Sequence, residues 1–288
     1  MSAENIPSSP VIVIGMHRSG TTLLARLLAA AGVFLGRELT NNFESTFFQW
    51  LNRDILDRFG CSWAHLEELP GSAVLFEKFS GIKKIVGDRL ESKLAPEHFG
   101  SSDGQLPDPW GWKDPRTCLN LPFLHGFFPD ARIAFIYRDP RDVAISLIVR
   151  DERTFEKGFR FEAEEARKRF FRYLALWDEY NRRALEGMRP FPTIVATRYE
   201  DFVVEPKRRM EEILNMLGLE PTEELEKIVN EVRPDRAWAF GRAEEERFRG
   251  LTTDSELFKR WYGESFESTL LSNGAGTGTF AHNRPRSW

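Results

Sequence analysis

Eight residues near the start of the chain, Gly15-Met16-His17-Arg18-Ser19-Gly20-Thr21-Thr22, have the types and spacing to hold a phosphate. Glycines at 15 and 20 let backbone N–H groups approach an anion closely. A helix opening at Thr21 would add its unsatisfied N–H groups and the positive end of its dipole. The interval from Gly15 to Gly20 is that of the P-loop, but Thr21 stands where an NTP-binding loop carries lysine. The basic group lies inside the loop instead, at Arg18. Two readings stand at this point: an anion cradle, or a strand–helix turn whose glycines serve packing.

The flanking pattern supplies the elements such a loop needs. Val11 to Ile14 is an unbroken apolar run, as a strand buried on both faces requires. Leu23, Leu24, Leu27, Leu28 and Ala31 recur at helical spacing, with Gly32 placed to cap the helix end. From Ser45, the residues Phe47, Phe48, Leu51, Ile55, Leu56 and Phe59 predict a helix ending at Gly60, and another is predicted over about 73–94 with Lys83-Lys84 in solvent. Residues 95–109 read as a surface loop, rich in Gly, Pro, Ser and Asp. Residues 110–113 read as a short strand, 115–128 as a loop and helix, and 132–137 as a second core strand. Asp139-Pro140 then forms an N-cap and N1 pair opening a helix over 140–150. A long amphipathic helix is predicted over 161–186, with Phe170, Leu174, Trp177 and Leu185 on one face. A strand at 193–197 and helices near 206–217 and 221–232 complete the pattern.

Strands alternating with helices predict an α/β fold: a P-loop-like three-layer domain with a central parallel sheet flanked by helices. Ligand would then bind at the carboxyl ends of the strands. One domain is expected over 11–272, after a lead-in at 1–10 and before a mobile Gly- and Thr-rich tail at 273–288.

Composition narrows the function. The 288 residues are 41% hydrophobic and 29% charged, ordinary for a globular chain, and the formal charge of −4 disfavours a general nucleic-acid binder. The two cysteines, Cys61 and Cys118, lack metal-ligand spacing and read as buried or semi-buried thiols of a reducing compartment. MSAENIPSSP lacks the features of a signal peptide, and no apolar run reaches the length of a membrane span. A cytoplasmic protein without a membrane span is expected.

The loop GMHRSGTT and its apolar helix resemble the 5′-phosphosulfate-binding loop of the sulfotransferases that use 3′-phosphoadenosine-5′-phosphosulfate (PAPS). The resemblance implies donor contacts from His17, Arg18, Ser19, Gly20, Thr21 and Thr22. PAPS has no β- and γ-phosphates for a P-loop lysine to span, which accords with the basic residue inside the loop. RIAFIYRDPRDVAISL resembles the 3′-phosphate signature of the same family, implying roles for Arg138 and Ser146. A guanidinium at a strand end offers a forked pair of donors to phosphate, and the serine hydroxyl adds another. Arg198-Tyr199-Glu200-Asp201-Phe202 resembles the segment in which the family places a tyrosine near the adenine, which implies that role for Tyr199.

The resemblance also implies the chemistry. Sulfuryl transfer needs a base for the acceptor proton and cations where charge gathers on the bridging oxygen. Arg18 is one cation; Lys113, in a Lys-Asp-Pro segment resembling that of protein-tyrosine and bacterial members, is the other. Glu44 is the preferred base by resemblance to bacterial members, with Glu38 as the alternative. The implied cofactor is PAPS, with 3′,5′-adenosine bisphosphate (PAP) as product and no metal. The implied acceptor is a small molecule or glycan, a carbohydrate or glycolipid hydroxyl being favoured over a phenol. Its pocket is expected from 36–60, 61–109 and the helix at 161–186. Arg236, Arg242, Arg247 and Arg249 are further candidates for the 3′-phosphate side. The competing readings are an NTP-dependent small-molecule kinase and a nucleotide-binding module without catalysis.

Overall fold

In the computed structural model, which describes residues 9–71, 79–91, 107–156, 158–234, 246–248 and 251–263, four strands form one sheet. They are β1 (Val11–Ile14), β2 (Gly111–Lys113), β3 (Arg132–Tyr137) and β4 (Thr193–Arg198). All pairings are parallel, in the order β2-β1-β3-β4. Val13 lies opposite Lys113 on one side and Ala134 on the other, so the chain changes direction across the sheet at β1. A crevice opens beyond the carboxyl ends of strands at such a switch point.

The pleat divides the strand residues between two cores. Ile12, Ile14, Ile133, Phe135, Tyr137 and Ile194 enter one; Val11, Val13, Ala134, Ile136 and Val195 enter the other. The first core is covered by α2 (Thr46–Asp57), α4 (Thr117–His125), α5 (Pro140–Phe155) and α6 (Ala163–Met188), with Val86 of α3 (Phe79–Glu91) also packed in. The second is covered by α1 (Thr21–Ala30), α7 (Tyr199–Val204), α8 (Pro206–Leu217) and α9 (Glu223–Asn230). This is the expected three-layer arrangement. Every β1 side chain is fully buried, which is why the strand reads as a continuous apolar run rather than an alternating one.

The Asp139 carboxylate accepts the Arg141 N–H at 2.8 Å, and Pro140 follows at the helix start, so α5 opens where its cap pair predicts. It runs to Phe155, beyond the expected residue 150, because Leu147, Ile148 and Glu152 continue its buried face. Conversely α9 is shorter than predicted, opening at Glu223 after a Thr222 cap whose hydroxyl accepts the Leu225 N–H at 3.1 Å. Residues 251–263 return to the sheet, with Trp261 packed 4.7 Å from Tyr137 and 5.2 Å from Trp177. Cys61 and Cys118 are buried and free. No helix among the described residues is long and apolar enough to cross a membrane. The ends of the helix predicted over 73–94, most of the loop at 95–109, the tail at 273–288, and Arg236, Arg242 and Arg249 lie outside the described residues.

Candidate active site

Each strand delivers one part of the site at its carboxyl end. The loop 15–20 leaves β1, Lys113 is the last residue of β2, Arg138 follows β3 and Tyr199 follows β4. They meet around a cavity of about 350 Å³ lined also by His17, Arg18, Thr22, Asn42, Glu44 and Arg150.

The loop is shaped by close backbone approach. A Cβ on Gly15 would lie 2.2 Å from the Ile136 carbonyl oxygen, and one on Gly20 would lie 2.4 Å from Tyr199 Cδ2. Arg18 adopts a positive φ of 70°, an unusual cost for a side-chain-bearing residue, and its Nε donates to Ser146 Oγ at 2.8 Å. Gly20 caps α1 with neither a side-chain hydrogen bond nor an acidic residue in the first turn. The Leu24 N–H makes the first closing bond, to the Gly20 carbonyl at 3.1 Å, so the N–H groups of residues 21–23 precede the helical ladder. An uncapped helix end facing several cations suits an anionic group.

The Arg138 guanidinium is held by Asp142 at 3.0 Å and lies 4.5 Å over the Tyr199 ring. Tyr199 is thus clamped between Arg138 and Gly20. On the opposite strand, Lys113 is buried and its Nζ meets Glu44 Oε1 at 2.9 Å and the Asn42 carbonyl at 3.1 Å. Burial pulls the Lys113 pKa below its ordinary value, while the charge and hydrogen bond of Glu44 push it back up. The Gln49 amide donates to the other Glu44 oxygen. The turn bearing Glu44 is tied by Thr40, whose hydroxyl accepts the N–H groups of Asn42 at 3.3 Å and Glu44 at 3.2 Å. Thr22 Oγ1 donates to the same Asn42 carbonyl at 3.3 Å, which joins this turn to the start of α1 beside the loop 15–20.

His17 packs edge-on against Trp63 at 4.9 Å and Tyr180 at 5.9 Å, and its buried Nε2 has no hydrogen-bond partner among the described residues. Burial, and then the charges of Arg116, Lys113, Arg150 and Arg18, hold its pKa well below the usual histidine value. It is a neutral imidazole at neutral pH.

A model of the sulfotransferase family matches residues 10–224. The chain belongs to the sulfotransferase family. Among solved structures, this sulfotransferase is similar to sulfotransferase STF9 from Mycobacterium avium (18% identity, 93% of this chain and 78% of that one, TM-score 0.46). It is also similar to the sulfotransferase domain of the Synechococcus PCC 7002 olefin synthase (17% identity, 87% and 90%, TM-score 0.49). A third is mouse sulfotransferase SULT7A1 complexed with PAP (13% identity, 95% and 89%, TM-score 0.42). No curated protein matches the chain by sequence.

The residues singled out in this sulfotransferase by sequence fall into three groups. His17, Arg18, Gly20, Thr21, Thr22, Glu44, Lys113, Arg138 and Tyr199 line one cavity. Ser146 joins them through its bond to Arg18. Ser19 is not among the residues lining the cavity: its side chain is fully buried, its Oγ has no hydrogen-bond partner among the described residues, and its N–H donates to the Met16 carbonyl at 3.1 Å. Of the two candidate bases, Glu38 is exposed outside the cavity and accepts from the Thr46 hydroxyl at 3.2 Å. Arg247 is committed to Glu152 at 2.6 Å and the Phe161 carbonyl at 2.9 Å. Sequence reasoning missed Arg150, although it lies four residues beyond Ser146 and so on the same helix face. It also missed Asn42, Gln49 and Arg26; the carbonyl that Asn42 contributes leaves no mark in a sequence.

Proposed function

We propose that this sulfotransferase binds PAPS along the phosphate loop and transfers its sulfuryl group to a hydroxyl of a small molecule or glycan. The observation that carries this reading is the Lys113–Glu44 pair, 2.9 Å apart in the wall that also presents the uncapped helix end, Arg18 and Arg138. A base and a cation stand side by side where an anion cradle ends.

PAPS supplies a sulfuryl group on its 5′-phosphate, and in transfer the sulfur–oxygen bond to phosphate breaks as one to the acceptor oxygen forms. Glu44 takes the proton of the acceptor hydroxyl, and Gln49 fixes the orientation of its carboxylate. Lys113 has three N–H donors and places two, on Glu44 and the Asn42 carbonyl. The third serves the phosphate oxygen on which charge gathers, with Arg18 as a second cation. The N–H groups of residues 21–23 hold the 5′-phosphate. Arg138 serves the 3′-phosphate through its forked donors, while Ser146 steadies Arg18 and Tyr199 meets the adenine.

Calorimetry with PAP, ATP and 5′-AMP in the absence of magnesium tests the donor assignment on the wild type and Arg138→Ala. Tight binding of PAP alone, weakened at least tenfold by the substitution, is expected. Preferential binding of ATP with magnesium, or an unchanged Arg138→Ala, would overturn the assignment and favour the kinase reading.

A further inference from the structure

We infer that Arg150 selects acceptors that carry an anionic group, a carboxylate or a phosphate, close to the reacting hydroxyl. The inference rests on the donor assignment above and goes beyond it to the class of acceptor.

Arg150 lies on α5 four residues after Ser146, one helical turn further along the same face. It lines the cavity that holds Lys113 and Glu44. Through Trp63 it stands next to His17 of the loop 15–20, in the same cavity wall as Lys113 and Glu44. Its guanidinium lies 4.4 Å over the Trp63 ring, and Trp63 packs in turn on His17 at 4.9 Å. The Tyr180 hydroxyl holds the Trp63 carbonyl at 2.8 Å, so the stack Arg150–Trp63–His17–Tyr180 forms a fixed wall.

A guanidinium lying over an aromatic face keeps its edge N–H groups available for a planar or tetrahedral anion. Two of the Arg150 nitrogens, Nε and Nη2, reach the same Asp151 oxygen at 3.2 and 2.9 Å. Asp151 is itself shared with Arg169 and the Tyr173 hydroxyl. Nη1 of Arg150 has no hydrogen-bond partner among the described residues. The cavity lining contains one carboxylate among the described residues, Glu44, and that is already engaged by Lys113 and Gln49. An acceptor anion beside Arg150 therefore meets the Nη1 donors of a guanidinium whose other edge is fixed by Asp151, in a cavity wall whose own carboxylate, Glu44, is already engaged. A neutral acceptor would leave the guanidinium half used.

Matched acceptor pairs test this: methyl glucoside against methyl glucuronide, glucose against glucose 6-phosphate, and methyl hydroxybenzoate against the free acid. Each is titrated calorimetrically into PAP-loaded protein and assayed for sulfate transfer from PAPS, on wild type, Arg150→Ala and Arg150→Glu. Wild type is expected to favour the acidic member of at least one pair by tenfold or more in affinity and in kcat/KM. Arg150→Ala should erase that preference through KM, and Arg150→Glu should invert it, with the affinity for PAP held within threefold in both. The carboxylate and phosphate arms separate the two anion chemistries. Wild type that favours neutral members, or that binds and turns over no acid while binding PAP, overturns the inference. So does a preference that survives in both variants, or an Arg150→Ala that weakens PAP itself by tenfold. Failure of the wild type to bind PAP would instead overturn the donor assignment.

Discussion

Gly20→Ala is expected to damage the phosphate loop mainly through one ring, and the cost can be divided. Gly20 has a φ of +97°, where a side chain adds strain of about 1 kcal/mol. The added methyl would sit 2.4 Å from Tyr199 Cδ2 and 2.9 Å from Cε2. Ordinary carbon contacts are about 3.5–4.0 Å, so the ring must retreat by about 1 Å. Overpacking of that kind costs about 1–3 kcal/mol, for a total of about 2–4 kcal/mol. At this chain length, that lowers Tm by about 4–8 °C. The ring cannot retreat without moving Arg138, whose guanidinium lies 4.5 Å from its centroid, so PAP affinity should fall in parallel.

A double-mutant cycle with Tyr199→Ala isolates the contact. With the ring gone, the nearest remaining contact of the new methyl is Ile136 Cδ1 at 3.2 Å, and Gly20→Ala should cost only its backbone strain, about 1 kcal/mol. Urea unfolding of the wild type, both single variants and the double variant, without ligand, measures the coupling. A coupling of about 1–3 kcal/mol is expected. Equal costs for Gly20→Ala in the two backgrounds would refute the clamp of Tyr199 between loop and guanidinium.

Gly111→Ala should be worse, because its methyl would lie 1.9 Å from the Val11 carbonyl oxygen and part β2 from β1. A loss above about 3 kcal/mol in urea unfolding is expected, whereas Gly32→Ala, with nothing within 4 Å, should cost about 1 kcal/mol for its positive φ. In the proposed mechanism Lys113 stands beside the transferred group, and Lys113→Met removes that cation. At 4 Å and an effective dielectric of 20 that is worth about 4 kcal/mol, so kcat for sulfate transfer should fall by about 10³. Glu44→Gln should lower kcat by about 10²–10⁴ through loss of the base, with PAP affinity unchanged in calorimetry. The buried Glu200 accepts the Asp139 N–H at 3.0 Å and the Tyr262 hydroxyl at 3.2 Å, and burial raises its pKa to about 7. Because the folded state binds that proton more tightly than the unfolded one, this residue's contribution is full below the ordinary glutamate range and declines as pH rises to about 7. Glu200→Gln should remove up to about 3 kcal/mol of that decline, read as a flatter stability profile between about pH 4.5 and 7.

The parts of the site that were legible in the sequence are those whose cause is local. Val11 to Ile14 shows no alternation because both faces of β1 are buried. Asp139-Pro140 marks the start of α5 because capping is settled within three residues. The loop from Gly15 to Thr22 is legible because backbone approach demands glycine at fixed places. What could not be read is which distant charges meet. Lys113 beside Asp114 reads as a neighbour pair, yet Asp114 turns to Arg116 at 3.0 Å and Lys113 reaches Glu44 at 2.9 Å.

The sheet decides that choice. Parallel pairing sets Val13 opposite Lys113, so β2 ends two residues short of the level at which the loop 15–20 leaves β1. Asp114 is the first residue past the end of β2, and the two side chains go different ways. Asp114 enters a buried network, accepting the Asn52 amide at 3.0 Å, while Lys113 meets the turn at 40–44. That turn is tied to α1 through Thr22 and the Asn42 carbonyl. Glu44 and Lys113 are therefore brought together by register and by one backbone carbonyl. Substitution of the Asn42 side chain should matter little, whereas any change that slips β2 against β1 should separate Lys113 from the loop it serves.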